Sequence, residues 1–257
     1  MDKRIPALFA ALVATSIFGF NHTIAKELMP DVLSPNALLY CRVVGAAICF
    51  WVISLFFKNE KIDFKDFKLI ITCAFFGMGL NMITALNGLY NSTPINSAII
   101  TTLAPIFIFI ISVILLKEKI TKIKYLGVFI GFIGTLTLIL LNEKSIANAP
   151  NINLGNFYFF INSLSYAIYF VLVKPLTKKY SMITIMKWLF LFSIIINMPF
   201  GLLEFTEINW VEISRNSLIK ISYVVFCTTF LVYLLNLYAL KNLKASTVGM
   251  FIYLQPV

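Results

Sequence analysis

One histidine occurs in the 257 residues, His22, and it stands beside Asn21 inside an apolar run that begins after Arg4. A neutral imidazole donates and accepts hydrogen bonds and titrates near pH ~6.5, which suits it to substrate contact or proton movement. An interfacial histidine bonded to a neighbouring loop is the competing reading. Further along, Asn81, Thr84, Asn87 and Asn91 recur every three or four residues, a spacing that puts them on one stripe of a helix. Thr101, Thr102 and Asn162 continue the polar theme. Tyr166 and Tyr169, Tyr233 and Asn236, and Tyr253 and Gln255 add polar pairs to three other apolar stretches. Polar groups are costly in lipid and face a bundle interior or a wet cavity, so the set reads as a binding cavity for a small molecule. Hydrogen bonds between helices, typically worth only ~0.6 kcal/mol each in membranes, are the alternative.

Arg42 lies two turns into an apolar stretch, where a charge costs about 2.5 to 3.5 kcal/mol on insertion scales. Either it meets a substrate carboxylate or a helix C-terminus, or it anchors fold geometry, and the anchor is favoured. Lys187 is expected to snorkel to the surface. Glu118, among Lys117, Lys119, Lys122 and Lys124, reads as a solvated partner of those lysines. No carboxylate lies deep in an apolar stretch, so a buried acidic proton relay is not expected. H-E-x-x-H, P-loop and G-x-S-x-G motifs are all missing, which argues against a membrane-embedded enzyme. The four cysteines, Cys41, Cys49, Cys73 and Cys227, form no C-x-x-C pair and sit in apolar runs, so no metal site, cofactor or disulfide framework is expected. "NST" at Asn91 matches a glycosylation acceptor but lies too near the bilayer to be used.

The elements that must position these groups follow from composition. Hydrophobic residues make up 60% of the chain, charged residues only 12%, and mean hydropathy is +0.91, values that define an integral membrane protein. About 20 apolar residues cross the hydrocarbon core. Windows of that kind lie at 5–25, 38–57, two within 69–116 broken at Asn91 to Pro94, 125–141, 155–173, 188–203 and 221–240, with a ninth starting near Ala245. The first resembles a signal peptide but is too long and lacks a cleavage site, so it reads as a retained span.

Charge then orients the chain. With the N-terminus in the cytoplasm, Lys3, Arg4 and thirteen lysines from Lys58 to Lys244 fall on the inner side. Lys26, Lys144, Arg215 and Lys220 fall outside. That bias fixes the topology, and it makes the net charge of +10 a collar for anionic headgroups rather than a nucleic-acid surface.

Two segments echo each other. "FGFNHTIAKEL", Phe18 to Leu28, lies over "YAIYFVLVKPL", Tyr166 to Leu176, with Lys26 on Lys174; "TPINSAIITTLAP", Thr93 to Pro105, lies over "KASTVGMFIYLQP", Lys244 to Pro256. Five spans in the first unit force the second to enter the membrane from the opposite side, the inverted repeat common among transporters. On this reading the chain stops within its ninth span and the full plan has ten helices. Pro105 and Pro256, at matching points, are candidate gating or kink positions, since proline interrupts the hydrogen-bond ladder. Gly127, Gly131 and Gly134 form a small-residue face, ordinarily for packing within a unit and more rarely for dimerisation.

"TLAPIFIFIISVILLKEKIT" followed by "GVFIGFIGTLTLIL" resembles the EamA domain of the drug/metabolite transporter superfamily, and "GNFYFFINSLSYAIYFVLVKPL" with "ALKNLKASTVGMFIYLQPV" resembles parts of a second such domain. The resemblance implies an all-α polytopic membrane protein with a first EamA repeat over residues 1–144 and an incomplete second over 151–257. It implies an inner-membrane exporter or exchanger of amino acids, metabolites or drugs, with a cavity between two five-helix halves working by alternating access. A passive channel or facilitator is the runner-up, ahead of an enzyme or scaffold. The implied partners are a small-molecule substrate and membrane lipids, not nucleic acid, with the protein a monomer or homodimer.

Overall fold

The computed structural model describes residues 3–58, 60–118, 122–141 and 149–254. The described residues form α1 (Arg4–Glu27), α2 (Pro35–Ser54), α3 (Phe64–Asn91), α4 (Pro94–Leu116), α5 (Lys122–Leu141), α6 (Ile152–Lys178), α7 (Met182–Thr206), α8 (Arg215–Asn242) and the shorter α9 (Ala245–Leu254). Among the described residues, α1 to α4 and α6 to α8 are long and apolar enough to cross a membrane. The 20 residues of α5 coincide with the fifth predicted span. Gln255 and Pro256 lie outside the described residues.

Local sequence sets the boundaries. α3 stops at Asn91 and α4 starts at Pro94, where the ring fixes the first helical φ and the Thr93 hydroxyl accepts from the Asn96 N–H at 3.1 Å. Ser34 before Pro35 does the same for α2, accepting from the Ala37 N–H. Within α4 the ladder breaks at Thr102 and Leu103, the turn before Pro105, and the Thr102 and Leu103 amides reach back only three residues, to Ile99 and Ile100. In α9 a 3-10 segment, Met250–Leu254, holds the corresponding place before Pro256.

The helices pack in pairs across the bundle: α2 on α7, α3 on α6, α1 on α8, and α4 on both α6 and α9. Where α3 crosses α6, both helices use glycine. A Cβ on Gly155 would lie 2.5 Å from Ser92 Cβ and 2.8 Å from the Gly88 carbonyl oxygen, so backbone touches backbone there. Between α2, α7 and α8, aromatic rings fill the core. Phe50 lies 5.2 Å from Phe190 and 4.7 Å from Phe230, and Phe190 meets Tyr233 at 5.5 Å.

α3 and α8 each contain a π-helical segment, Phe75–Leu80 and Tyr223–Leu231. Such a wider turn shifts the hydrogen-bond ladder by a residue and leaves carbonyls to be satisfied elsewhere. In α3 three successive carbonyls accept from three other helical positions: Phe76 from the Ser165 hydroxyl at 2.7 Å, Gly77 from the Tyr233 hydroxyl at 3.1 Å, and Met78 from the Asn197 amide at 3.2 Å. A position without a side chain is required at Gly77, where a Cβ would fall 2.5 Å from the Tyr169 ring.

At the end of the bundle that carries the α2–α3 and α6–α7 loops, Lys179 pairs with Asp66 at 2.9 Å, and the Glu60 carboxylate accepts from the Ser181 N–H at 2.7 Å. Burial pushes the Glu60 carboxyl up, but hydrogen bonds from Ser181 and Thr184 outweigh it and hold the group below its ordinary value. A lowered carboxyl pKa stabilises the fold above the unfolded value and loses that contribution as pH falls through the folded one. The loop-to-loop link should therefore weaken on acidification below the ordinary carboxylate range. Thermal denaturation of the wild type and Glu60→Gln across that range should show acid sensitivity reduced in the variant; equal sensitivity would contradict the assignment.

Two expectations are corrected here. Glu118 is not a solvated partner of the surrounding lysines. Its side chain is only 7% exposed, and its carboxylate accepts from the Ala245 N–H at 2.9 Å and the Ser246 hydroxyl at 2.7 Å, with Lys174 Nζ 4.0 Å away. The start of α9 offers orphan N–H groups and a positive dipole end, which attract the carboxylate more strongly than mobile lysines do. Nor does Lys187 snorkel into water. It is buried, with its ammonium 5.2 Å from the Trp51 ring centroid, because an aromatic face within reach substitutes for hydration.

Candidate functional site

A cavity opens between α1, α3, α4, α6, α8 and α9, with Arg42 entering from α2. Counted with the open solvent at its mouth, its atom-free space is about 870 Å³. Of the residues singled out in the sequence, Asn21, His22, Arg42, Asn81, Thr101, Asn162, Tyr166, Tyr233 and Asn236 line it. Helix spacing explains the grouping on α1, where Ala14, Thr15, Phe18, Asn21 and His22 share one face. The same holds on α8 for Tyr233 and Asn236.

The remaining members of the set sit beside the cavity. Thr84 turns its hydroxyl onto the Leu80 carbonyl at 2.6 Å, and Asn87 donates to the Ile83 carbonyl and to Asn36 Oδ1. Tyr169 is buried against Gly77 and 6.2 Å from the Tyr233 ring. The Tyr253 hydroxyl is buried without a partner among the described residues. Gly127 approaches Met250 of α9, whereas a Cβ at Gly134 would meet nothing within 4 Å.

Inside the cavity the polar groups are partly committed. Asn81 and Asn162 exchange bonds, each side-chain amide donating to the other's backbone carbonyl, at 3.1 and 2.8 Å. This joins α3 to α6 at mid-bundle. The Tyr233 hydroxyl is spent on Gly77, and the Asn236 amide donates to the Tyr166 hydroxyl at 3.3 Å. His22 Nδ1 lies 2.9 Å from the Ser97 hydroxyl, while its Nε2 and Asn21 Oδ1 are buried with no partner among the described residues. Arg42, 2% exposed, donates from Nε to the Thr229 hydroxyl at 3.0 Å. Thr229 in turn donates to the Val224 carbonyl five residues back, so the π-segment of α8 supplies the group that holds Arg42.

Two lysines matched in the sequence do matching work. Lys26 Nζ donates to the carbonyls of Leu89, Tyr90 and Ser92 at 2.8, 2.8 and 3.0 Å, closing the C-terminus of α3. Lys174 Nζ donates to the carbonyls of Leu240 and Leu243 at the C-terminus of α8. Each satisfies orphan carbonyls and complements a helix dipole. Nothing in residue type or spacing announced the π-segments, the Arg42–Thr229 bond or the Ser97–His22 pair, because each depends on which helix becomes the neighbour.

A bundle of apolar helices, seven of them long enough to span a membrane, around a polar-lined cavity defines a multi-pass membrane protein. Comparison with known proteins gives the class a family: the EamA-like transporter family matches residues 5–140 and 153–257, and the chain belongs to it. The uncharacterized transporter YetK of Bacillus subtilis (strain 168) is 26% identical over 264 residues, covering 100% of this chain and 78% of that protein. An uncharacterized transporter of Archaeoglobus fulgidus is 33% identical over 154 residues, 60% of this chain and 52% of its own length. A solved crystal structure shares the fold with a TM-score of 0.75 over 98% of this chain and 85% of that one, at 13% identity.

Proposed function

We propose that the protein moves a small organic solute across the cell inner (plasma) membrane by alternating access, as an exporter or exchanger. The observation that carries this reading is the cavity itself, lined by polar groups from α1, α3, α6 and α8. A mid-membrane site between repeated halves is the usual plan of secondary transporters.

The halves are read as two units inserted in opposite orientation, and the packing pairs support it. Exchanging α1 to α4 for α6 to α9 leaves the main pairs unchanged: α1 on α8 becomes α6 on α3, and α2 on α7 and α4 on α9 map onto themselves. The displacement that takes Lys26 to Lys174 also takes Phe75, the start of one π-segment, to Tyr223, the start of the other. Lysine bias places the N-terminus and the loops around Lys58 to Lys68 in the cytoplasm. On that orientation Glu118, Lys174 and the start of α9 lie toward the cytoplasmic side.

Flux in proteoliposomes tests the reading. Asn236→Leu removes a cavity-lining amide whose partner is the Tyr166 hydroxyl and should lower solute exchange by at least tenfold while the protein still purifies as a folded species. Undiminished exchange in this variant would refute the cavity as the route.

A further inference from the structure

We propose that the solute is an organic monoanion, a carboxylate with an apolar body, whose charged end pairs with Arg42. The inference rests on the transporter reading of the same cavity and adds the substrate class. Arg42 is almost wholly buried and lines the cavity, yet one hydrogen bond, from Nε to Thr229, accounts for its partners among the described residues. Its two remaining guanidinium nitrogens have no carboxylate within ion-pair distance there. A guanidinium keeps its charge, and a buried charge without a counter-ion is among the most costly arrangements in a protein. Arginine's fork matches a carboxylate in two parallel hydrogen bonds, so a bound anion resolves what the fold leaves open.

The lining also carries donors without an acceptor of their own. Ser97 is buried and its hydroxyl has no partner besides His22 Nδ1, at 2.9 Å; assigning the hydroxyl as the donor puts the imidazole proton on Nε2. Nε2–H is then a buried donor with nothing to bind among the described residues. The Tyr166 hydroxyl accepts from Asn236 and has its own proton left to give. The amide oxygens of Asn21, Asn81, Asn162 and Asn236 on the same lining are neutral acceptors, which suit a hydroxyl and offer no counter-charge to an ammonium. Neither Asp nor Glu lines the cavity among the described residues. A cation would meet Arg42 with nothing to offset it, and a zwitterion would satisfy Arg42 but strand its ammonium. Phe18, Met82, Leu86, Phe159 and Phe170 supply apolar wall for the rest of the molecule.

A matched series separates the classes: phenylacetate as anion, phenylacetamide as neutral isostere, phenethylamine as cation and phenylalanine as zwitterion, titrated into the purified full chain by calorimetry. Phenylacetate should bind at least about tenfold tighter than each of the other three, the factor expected of a charge-assisted pair. Arg42→Gln should bring acid and amide to equal affinity, and Arg42→Lys should retain part of the difference. Equal binding of acid and amide by the wild type, no binding of the acid, tighter binding of the amine or zwitterion, or an acid preference that survives Arg42→Gln would each overturn the proposal. Should Arg42→Gln fail to fold, the wild-type comparison of acid with amide decides alone. Counterflow in proteoliposomes keeps the two readings apart: phenylacetate bound but not moved would fail the transport reading and leave the anion site standing, whereas exchange of phenethylamine would fail the anion site and leave transport standing.

Discussion

Glu118→Ala should destabilise the protein by about 2–3 kcal/mol and open the cavity at the end that carries Lys174. The carboxylate accepts from the Ala245 and Ser246 backbone N–H groups and the Ser246 hydroxyl, so it serves as the cap that α9 lacks from its own Lys244. Charge-assisted bonds of this kind are worth about 1.5 to 3 kcal/mol each, and their losses at one cap do not add fully. Removing the acid also leaves Lys174 with the α8 carbonyls but without its nearby negative charge. Glu118→Gln keeps an oxygen for one N–H and should fall between the two. The measurement is thermal stability of the three proteins together with labelling of a cysteine placed at Asn236 from the Lys174 face. A Glu118→Ala protein as stable and as closed as the wild type would remove Glu118 from the account.

Gly155→Val carries the largest expected effect on folding. A valine there needs room where Ser92 Cβ, the Ser92 backbone nitrogen and the Gly88 carbonyl oxygen all lie within 2.8 Å of a Cβ. Overpacking usually costs 1–3 kcal/mol when side chains can shift. Here two of the three obstacles are backbone atoms, of α3 and of the residue that follows it, at the point where Asn151 N–H reaches the Asn91 carbonyl and Ser92 bonds Asn156. The helices must separate, so the cost should exceed about 3 kcal/mol. Loss of monodisperse protein in detergent is the expected result. A control, Gly134→Val, faces open space and should fold normally. Equal behaviour of the two variants would mean that α3 and α6 do not cross as described.

The contrast between those two glycines shows what the sequence could and could not disclose. Gly127, Gly131 and Gly134 drew attention because they repeat at helical spacing, yet the tight contact falls on Gly88 and Gly155, which are isolated in sequence and close only in space. Spans were legible from hydropathy, since lipid imposes length and apolarity on each helix separately. Lys26 and Lys174 were legible as a matched pair because each serves the same local purpose at a helix end. The polar stripe of α3 was legible as a stripe. Which of its members reaches the cavity was not: Asn81 lines it, whereas Thr84 and Asn87 bond carbonyls of their own helix. Glu118 was misread for the same reason. Its sequence neighbours are lysines, but its spatial neighbour is the start of α9, and a fixed row of N–H groups outcompetes flexible ammonium ions.

The central claim is that one cavity, bounded by α1, α3, α6 and α8, is reached from the two sides of the membrane in turn. Cysteine substituted at Ala85, which lines the cavity from α3, in a protein whose four native cysteines are replaced, reports it directly through a membrane-impermeant maleimide applied to either face of oriented vesicles. The account predicts labelling from each face, with a solute that drives exchange slowing the reaction on both. Labelling from neither face, or from one face alone under every condition, would contradict it.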